Sequence, residues 1–292
     1  MTVINKVEMR FLIRISPYIK DEYRIKTMME RLYYLKTNQR FRFKNAKKYT
    51  EKLQLYKFWL KNKDFEKYTD KIRVREWIGQ VLGEDYLIPV YKVWDSTDEI
   101  TLDDLPEEFV IKTNHGAGMN LVVNKKDDLD VKDLCKKSKG WLSKNFCYCN
   151  GFEYQYEKIT PLLYAEKKIA NKEGELPEYK FLCFDGIPYF CMVDLDRFGK
   201  HKRNIYDLNW NLQDWNIGKF SNSDVPVAKP NNFESLVCVA QKLAKGFKHV
   251  RVDLYDVDEK IYFSEMTFTT GSGYSLPVPD EANKYLGKLF NI

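Results

Sequence analysis

The sequence has few histidines and no long apolar segment. Its 292 residues include 3 histidines, and the lack of any run of about 18 apolar residues argues against a transmembrane helix. Six cysteines are present, but Cys147 and Cys149 stand closer together than the two-residue spacing of a zinc knuckle. We therefore expect neither a zinc site nor a disulfide framework, and the cysteines are expected to be buried, reduced thiols.

Signatures of several enzyme classes are also missing. The chain has no Gly-Lys-Ser/Thr sequence of a P-loop and no Gly-x-Ser-x-Gly nucleophile elbow. Glycine and proline number only 14 and 10, which excludes collagen-like and low-complexity proteins. A composition of 44% hydrophobic and 31% charged residues is typical of a globular chain, and the length suggests about two domains.

Positive charge is concentrated at the start of the chain. Lys and Arg exceed Asp and Glu by 48 to 42 overall, and residues 1–60 hold 15 basic and 5 acidic residues. The interpretation that we favour for this basic segment is a helical layer with a solvated basic face. Contact with an anionic membrane surface is the second interpretation, and a nucleic-acid surface is the third. A polyanionic saccharide would also be attracted to such a surface. Arg10 and Arg14 interrupt the first apolar run, so a secretory signal is not expected. The predicted location is cytoplasmic, with an optional peripheral position at the inner membrane face.

Hydrophobic spacing predicts an α+β fold. Residues 1–85 show mostly helical spacing, and further helices are expected over 131–146 and 232–247. Strands are predicted over 86–94, 109–113, 120–123, 162–166, 179–184, 187–194, 249–255 and 260–266. Because several of these strands follow one another through short turns such as Asp185-Gly186, the pairing should be mainly antiparallel.

A lysine at the end of a predicted strand precedes a small glycine loop. Lys112 closes the strand, and His115, Gly116 and Gly118 follow it. Glycines let the backbone approach an anion closely, and successive amides can surround phosphate oxygens while the lysine adds positive charge. The alternative is an ordinary hairpin with one solvent-directed lysine.

Two carboxylates fall in the last predicted hairpin. Asp253 lies in one strand with Arg251 two residues before it, and Glu265 lies in the next. A short turn would bring the two carboxylates opposite each other, where they repel unless a cation lies between them. Mg²⁺ is the expected cation, because it prefers oxygen ligands from one or two carboxylates together with substrate phosphates. The alternative is a solvent-facing side of the sheet on which Arg251 pairs with Asp253.

A third segment, 165–169, ends a predicted strand and leads into a loop. A strand end of this kind can offer a backbone donor, a backbone acceptor and apolar walls to an adenine base. The segment alone is equally typical of a charged strand end at the surface.

The order of these features resembles that of the ATP-grasp enzymes, and their sequences resemble the TupA-like branch named for teichuronopeptide biosynthesis. The resemblance covers roughly residues 40–280. It rests on segments 51–54, 70–76, 86–89, 105–118, 179–186, 206–210, 251–255, 261–268 and 271–273. It implies two mainly antiparallel α+β sub-domains that sandwich ATP, with a basic, mostly helical region at 1–85, an N-lobe at 86–165 and a C-lobe at 166–292.

The resemblance also implies roles for individual residues. Nucleotide contacts would come from Lys112, His115, Gly116, Gly118, Glu166, Lys167, Ile169, Glu178 and Lys180, with 115–118 as a flexible lid, 166–169 as the adenine hinge and Glu178 at the ribose. Metal ligands would be Asp253, Glu265 and Thr267, although Thr267 replaces the usual asparagine. Catalytic charge neutralisation would come from Lys112, Arg197 and Arg251. Substrate contacts would come from Arg197, His201, Lys202, Arg203, Gly271 and Ser272, with the segment from 197 to 203 on a long loop.

The function implied by the resemblance is carboxylate activation. ATP and Mg²⁺ would convert a carboxylate, expected to belong to a sugar acid, into an acyl phosphate, and an amino acid or amine would displace phosphate to form an amide. The partners are therefore small-molecule or saccharide carboxylates and amines, with contact to a membrane or to polysaccharide machinery through residues 1–60. Two alternatives remain open: a glycosyltransferase that uses the Asp194-x-Asp196 sequence, and a non-catalytic scaffold that binds a polyanion.

Overall fold

The structure is a computed structural model that describes residues 3–171, 176–195, 201–223 and 226–292. The amino-terminal part is helical. Its helices are α1 (Val3–Ile15), α2 (Glu22–Thr37), α3 (Tyr49–Leu60), α4 (Glu66–Thr69) and α5 (Val74–Leu82). Asp21 caps α2 by accepting a hydrogen bond from the Arg24 amide at 2.9 Å, and Asn38 ends it with a left-handed backbone (φ 57°). Most of residues 3–82 are therefore helical, as the apolar spacing predicts.

The first sheet has the strand order β1-β4-β2-β3. Its strands are β1 (Val90–Trp94), β2 (Phe109–Thr113), β3 (Asn120–Val123) and β4 (Leu163–Lys167). Helices α6 (Val131–Leu142) and α7 (Phe146–Cys149) lie between β3 and β4 in sequence. On β2, Phe109 and Ile111 face a small apolar cluster while Lys112 is only half-buried, because successive strand residues point to opposite faces.

The second sheet has the strand order β10-β9-β5-β6-β7. Its strands are β5 (Glu178–Phe184), β6 (Ile187–Leu195), β7 (Lys202–Asp207), β9 (His249–Val257) and β10 (Lys260–Thr267). The remaining elements are β8 (Asn216–Ile217), α8 (Phe233–Ala244), β11 (Pro277–Val278) and α9 (Asp280–Leu289). Within the described ranges every strand pairing is antiparallel, so the predicted antiparallel α+β class is confirmed.

The larger apolar cluster joins the helical region to the second sheet. Leu53 and Tyr56 of α3 share this cluster with Phe184 of β5 and Phe290. At Gly287 of α9, an added Cβ would lie 2.1 Å from the carbonyl oxygen of Lys47. The backbone of α9 therefore packs directly against the backbone of the segment that precedes α3. The helical region therefore has a firm position relative to the second sheet.

Two expectations about secondary structure were wrong. Lys202 and Arg203 belong to strand β7, not to a long loop, because a carboxylate on the neighbouring strand stabilises the buried Arg203. The strand predicted over 86–94 begins only at Val90, since Glu84–Tyr86 forms a 3₁₀ turn. Strands β7, β8 and β11 and helix α9 were not predicted. Among the described residues, no helix combines the length and apolarity needed to cross a bilayer.

Candidate functional site

Asp253 and Glu265 lie opposite each other on the second sheet. The register of β9 and β10 pairs Glu265 with Asp253, and it slips by one residue between Phe263 and Glu265, so that Ser264 is an extra residue in β10. Such an insertion is a β-bulge. Asp253 is fully buried and Glu265 half-buried. The spatial pairing of carboxylates expected from the sequence is therefore present.

Arg251 holds these carboxylates together. Its Nε and Nη2 donate to the two carboxylate oxygens of Asp253 at 2.7 and 2.6 Å. Nη2 also donates to Glu265 Oε1 and to Thr267 Oγ1, both at 3.1 Å. Burial raises the pKa of Asp253 to about 7 against the attraction of Arg251. Burial also acts to raise the pKa of Glu265, but Lys71 and Arg251 more than offset it and lower that pKa to about 2.

Lys180 extends the charged network across the sheet. Its Nζ lies 2.9 Å from Glu178 Oε2, 2.9 Å from Asp194 Oδ2 and 3.9 Å from Asp253 Oδ2. These carboxylates come from β5, β6 and β9, and all of them are buried. A lysine that bridges three buried carboxylates stays charged because their attraction offsets its desolvation, and the pKa of Lys180 is raised.

Two of the predicted substrate-binding residues converge on Asp194. Arg203 donates to both carboxylate oxygens of Asp194, at 2.5 and 2.9 Å, and His201 Nε2 lies 3.2 Å from Oδ1. The Arg203 guanidinium also lies over the ring of Phe220, 4.3 Å from its centroid. Strand alternation places Lys202 on the opposite face of β7 from Arg203. Arg197 and Asp196 lie outside the described residues.

The glycine loop after β2 is anchored at its base. Asn114, His115 and Gly116 are buried, whereas Gly118 is exposed. Asn114 donates from Nδ2 to Asp70 at 2.8 Å and accepts the Leu162 amide at 2.7 Å. The structure thus fixes the first half of the predicted lid and leaves its tip exposed.

Lys71 connects this loop to the second sheet. Its Nζ donates to the carbonyl oxygen of Gly116 at 2.8 Å and lies 3.4 Å from Glu265 Oε2. Its backbone amide donates to Asn114 at 2.9 Å. Lys71 lies three residues before the start of α5 in the helical region. The ammonium group of Lys71 thus joins the helical region to the glycine loop and to the second sheet.

The first sheet contributes an ion pair near the same place. Lys112 of β2 contacts the carboxylate of Glu166 on β4. Glu166 and Glu265 both act on the neighbouring Tyr164, whose pKa is raised mainly by burial and further by these two charges. Arg75 of α5 lies close enough to act on Tyr164 and Glu166 as well, although burial lowers its own pKa. Lys112 and Glu166 thus form an ion pair across the first sheet, and Glu166 and Glu265 both lie near Tyr164.

The remaining predicted nucleotide contacts lie at the end of β4, in the segment after it and at the start of β5. Glu178 is buried and accepts a hydrogen bond from the Ser264 hydroxyl at 2.8 Å. Lys167 is exposed and its amide donates to Pro89 at 2.8 Å, while Ile169 is half-buried. These positions leave the adenine and ribose assignments as proposals.

The loop after β10 is held by α3. Gln54 Nε2 donates to the carbonyl oxygens of Gly273 and Ser272 at 3.0 and 3.3 Å, and the Ser272 hydroxyl donates to Glu153 at 2.8 Å. Gly271, Ser272 and Gly273 all have positive φ angles, between 53° and 66°. The two predicted substrate residues Gly271 and Ser272 thus lie on a sharply curved loop whose position depends on the helical region.

The donor atoms fit a hard divalent cation. Asp253, Glu265 and Thr267 offer two carboxylates and a hydroxyl, and Mg²⁺ is usually held by one or two carboxylates with phosphates and water. Within the described ranges, no group of three or more His, Cys, Asp and Glu residues could form a protein-only metal site.

Sequence reasoning missed the role of the helical region. Lys71, Arg75 and Gln54 all reach the site or its loops, yet none was predicted as a site residue. Nothing local distinguishes Lys71 from the other basic residues before residue 80. Only its position after Asp70, whose side chain caps the turn by accepting from the Ile72 and Arg73 amides, indicates a fixed conformation.

Comparison with known proteins gives one family match. The model of a family described as TupA-like ATPgrasp matches residues 51–291. No curated protein matches the chain.

Solved structures give distant matches. D-alanine–D-alanine ligase from Bacillus anthracis in complex with ATP has 16% identity and a TM-score of 0.47, over 76% of this chain and 64% of that one. L-amino acid ligase from Bacillus licheniformis has 14% identity and a TM-score of 0.41, over 71% and 44%. Phosphoribosylamine–glycine ligase from Thermotoga maritima has 10% identity and a TM-score of 0.43, over 69% and 48%. The chain thus spans less than two thirds of the length of each.

Proposed function

Because the chain belongs to the TupA-like ATP-grasp family, we propose that it is an ATP- and Mg²⁺-dependent ligase that joins a carboxylate to an amine. The ATP-grasp fold expected from the sequence is confirmed by the same family match. The observation that supports the proposal best is the meeting of Lys71, Gly116 and Glu265. It brings the glycine loop next to the carboxylate pair, as a nucleotide with a phosphate-bound metal would require.

In the proposed reaction, the terminal phosphoryl group of ATP is transferred to a carboxylate oxygen and ADP leaves. The amine nitrogen then attacks the carbonyl carbon, phosphate leaves, and the amine loses a proton. Mg²⁺ held by Asp253, Glu265 and Thr267 would neutralise phosphate charge. Lys112, Arg251 and Arg197 are proposed to orient the transferring group, because catalysis of phosphoryl transfer depends mainly on positioning and electrostatic stabilisation.

We propose that the nucleotide lies between the two sheets. The parts are then the helical region at 1–85, an N-lobe at 86–165 and a C-lobe at 166–292. Lys112, His115, Gly116 and Gly118 would contact phosphates, with Lys180 nearby. Residues 166–169 would contact adenine, and Glu178 would contact the ribose. His201, Lys202, Arg203, Gly271 and Ser272 are assigned to the carboxylate substrate, although Arg203 and His201 face Asp194 in this structure.

The proposed carboxylate substrate is a sugar acid and the amine is an amino acid or small amine, in the assembly of a surface polysaccharide. This assignment follows the name of the family and goes beyond its ligase chemistry. The proposed location is the cytoplasm, with peripheral contact to a membrane or to polysaccharide machinery through residues 1–60.

The test is a screen for ADP release against uronic acids paired with amino acids and small amines, with products identified by mass. We expect Mg²⁺-dependent ADP release and a product whose mass equals the two substrates less water. Glu265→Gln should abolish Mg·ATP binding in a folded protein, whereas Glu234→Gln, on the exposed side of α8, should behave as wild type. Hydrolysis of UDP-sugars without ATP turnover would favour a glycosyltransferase, and unchanged Mg·ATP affinity in Glu265→Gln would refute the metal assignment.

A further inference from the structure

Helix α1 is attached to the protein through one side only. Met9, Leu12 and Ile13 pack against the larger apolar cluster. Glu8 accepts two hydrogen bonds from Arg31 of α2, both at 2.6 Å. These contacts fix the rotation of α1 about its axis, so its opposite side has a defined composition.

That opposite side carries a row of exposed apolar residues. Val3, Ile4, Val7 and Phe11 are 77%, 78%, 60% and 59% exposed. At about 100° per residue they fall within an arc of about 100° on the helix. No residue of α1 is fully buried. The apolar row is therefore a continuous stripe with no covering element among the described residues.

Basic residues form one border of this apolar stripe. Lys6, Arg10 and Arg14 are exposed. At about 100° per residue, Lys6 and Arg10 lie beside Val3, and Arg14 falls between the angular positions of Val3 and Val7, further along the helix. Glu8, the acidic residue of the helix, points to Arg31 and does not oppose them. The exposed side of α1 thus combines apolar and positively charged groups.

The turn that follows α1 and the first residues of α2 carry further exposed aromatic and basic side chains, together with the exposed acidic residues Asp21 and Glu22. Tyr18 and Tyr23 are 80% and 79% exposed, and Lys20 and Arg24 lie beside them in sequence and are also exposed. Exposed tyrosines with lysine and arginine are typical of segments that lie at the boundary between lipid headgroups and acyl chains.

We propose that α1 lies in the plane of an anionic lipid surface and anchors the protein there. Val3, Ile4, Val7 and Phe11 enter the headgroup boundary, while Lys6, Arg10 and Arg14 contact lipid phosphates. With 13 residues, α1 is shorter than the roughly 20 residues needed to cross a bilayer, so it lies on the surface. Charge complementarity favours anionic lipid over an apolar protein groove. This inference rests on the membrane contact proposed above for residues 1–60 and makes it specific, whereas it does not depend on the proposed reaction.

The test is co-sedimentation of the full chain with vesicles of phosphatidylcholine alone and of equal parts phosphatidylcholine and phosphatidylglycerol. We expect binding to the anionic vesicles that is at least about tenfold stronger than to the neutral ones and that weakens with added salt. The double variants Val7→Asp/Phe11→Asp and Arg10→Glu/Arg14→Glu should each lose about tenfold or more in affinity.

The matched controls are Ile187→Asp/Leu212→Asp, at apolar sites that are each 48% exposed, and Lys136→Glu/Lys139→Glu on the exposed surface of α6. Both should bind vesicles as wild type does. Circular dichroism must show unchanged helix content in all variants.

Equal binding to neutral and anionic vesicles, or undiminished binding by Val7→Asp/Phe11→Asp, would overturn the proposal. So would absence of vesicle binding together with concentration-dependent dimerisation that Val7→Asp/Phe11→Asp abolishes, because the stripe would then be an interface between two copies.

Discussion

Lys71 forms an ion pair with Glu265, with 3.4 Å between its Nζ and Oε2, while the same ammonium donates to the Gly116 carbonyl. One side chain from the helical region therefore occupies the place between the glycine loop and the proposed metal ligands. A divalent cation that binds Glu265 must compete with it.

The first prediction concerns this competition. Lys71→Met removes a positive charge that faces Glu265, so the half-saturating Mg²⁺ concentration for ATP binding should fall several-fold. Calorimetric titration of Mg²⁺ at fixed ATP measures the effect. Lys67→Met, at an exposed lysine paired with Asp64, is the control and should leave the titration unchanged. A higher Mg²⁺ requirement in Lys71→Met would contradict the competition.

The second prediction compares two glycines of one loop. Gly116 and Gly118 have almost the same φ, 71° and 72°, but a Cβ on Gly116 would lie 2.3 Å from the ring of Phe146, whereas a Cβ on Gly118 meets no atom within 4 Å. Both alanine variants carry backbone strain, of about 1 kcal/mol. Gly116→Ala adds overpacking, so it should lower the free energy of unfolding by about 1–3 kcal/mol more than Gly118→Ala. Urea titrations of both proteins give the difference, and equal values would show that Phe146 can move aside.

The third prediction concerns the buried Arg251–Asp253 pair. Arg251→Ala leaves the carboxylate of Asp253 without its bidentate partner in a fully buried position. The expected loss in the free energy of unfolding is about 3–5 kcal/mol. The double variant Arg251→Ala/Asp253→Asn removes the unpaired charge and should recover part of it. The loss of unfolding free energy caused by Asp253→Asn is also measured in the wild-type protein. If Asp253→Asn causes the same loss in the Arg251→Ala protein, the two side chains do not act as a pair.

The fourth prediction is a pH dependence caused by His249. This histidine is fully buried, its Nδ1 donates to the Cys183 carbonyl at 2.8 Å, and its Nε2 accepts from the Tyr49 hydroxyl at 3.0 Å. Burial lowers its pKa from 6.5 to about 4. Between these values the unfolded chain binds the proton and the folded chain does not, so stability is lost as the pH falls below about 6.5.

At pH 5 the loss attributable to His249 is about 2 kcal/mol relative to pH 8. The free energy of unfolding is measured for wild type and for His249→Gln at both pH values. The change between pH 8 and pH 5 is then compared between the two proteins. The glutamine variant should show the smaller change. Parallel pH profiles for the two proteins would mean that His249 does not titrate as described.

The fifth prediction concerns the loop after β10. Gln54→Ala removes the hydrogen bonds to Gly273 and Ser272, so the loop should become less fixed. In the proposed reaction, the KM for the carboxylate should rise about tenfold, in keeping with the loss of a buried hydrogen bond, while the KM for ATP stays the same. Gln80→Ala, at an exposed position of α5, is the control. Equal changes in both KM values would argue against a role confined to this loop.

Local patterns predicted the strands well where one face is apolar. Strand β2 and strand β3 have the predicted bounds, and β5, β6, β9 and β10 differ by a few residues at their ends. Strand β7 was missed because an arginine in a sequence is normally taken as a surface residue. Arg203 is buried only because it pairs with Asp194 on the neighbouring strand β6. Helix α9 was missed although its buried residues Ala282 and Leu286 are four apart, because no further apolar spacing distinguishes it from a polar terminus.

Only part of the proposed site could be predicted from the sequence, because some of its contacts join residues that are far apart in the chain. Asp253 and Glu265 share a hairpin, so their proximity follows from local geometry. The contact of Lys71 with Gly116 and Glu265 joins residues separated by 45 and 194 positions, and it depends on how the helical region packs against both sheets. No local pattern contains that information.

The β-bulge at Ser264 keeps the second acidic group on the same side of the sheet as the first. The turn pairs Lys260 with Val257 and Phe263 with Leu254; continued without interruption, this register would set Ser264 against Asp253 and Glu265 against Val252. Glu265 would then point into the apolar interior, because opposed residues share a face. Deletion of Ser264 would remove the bulge and leave Glu265 opposite Asp253, because the residue after Phe263 then pairs with Asp253 in the uninterrupted register. In relatives of this chain, a hairpin without the extra residue would therefore keep its two acidic groups together, whereas an extra residue without a bulge would separate them.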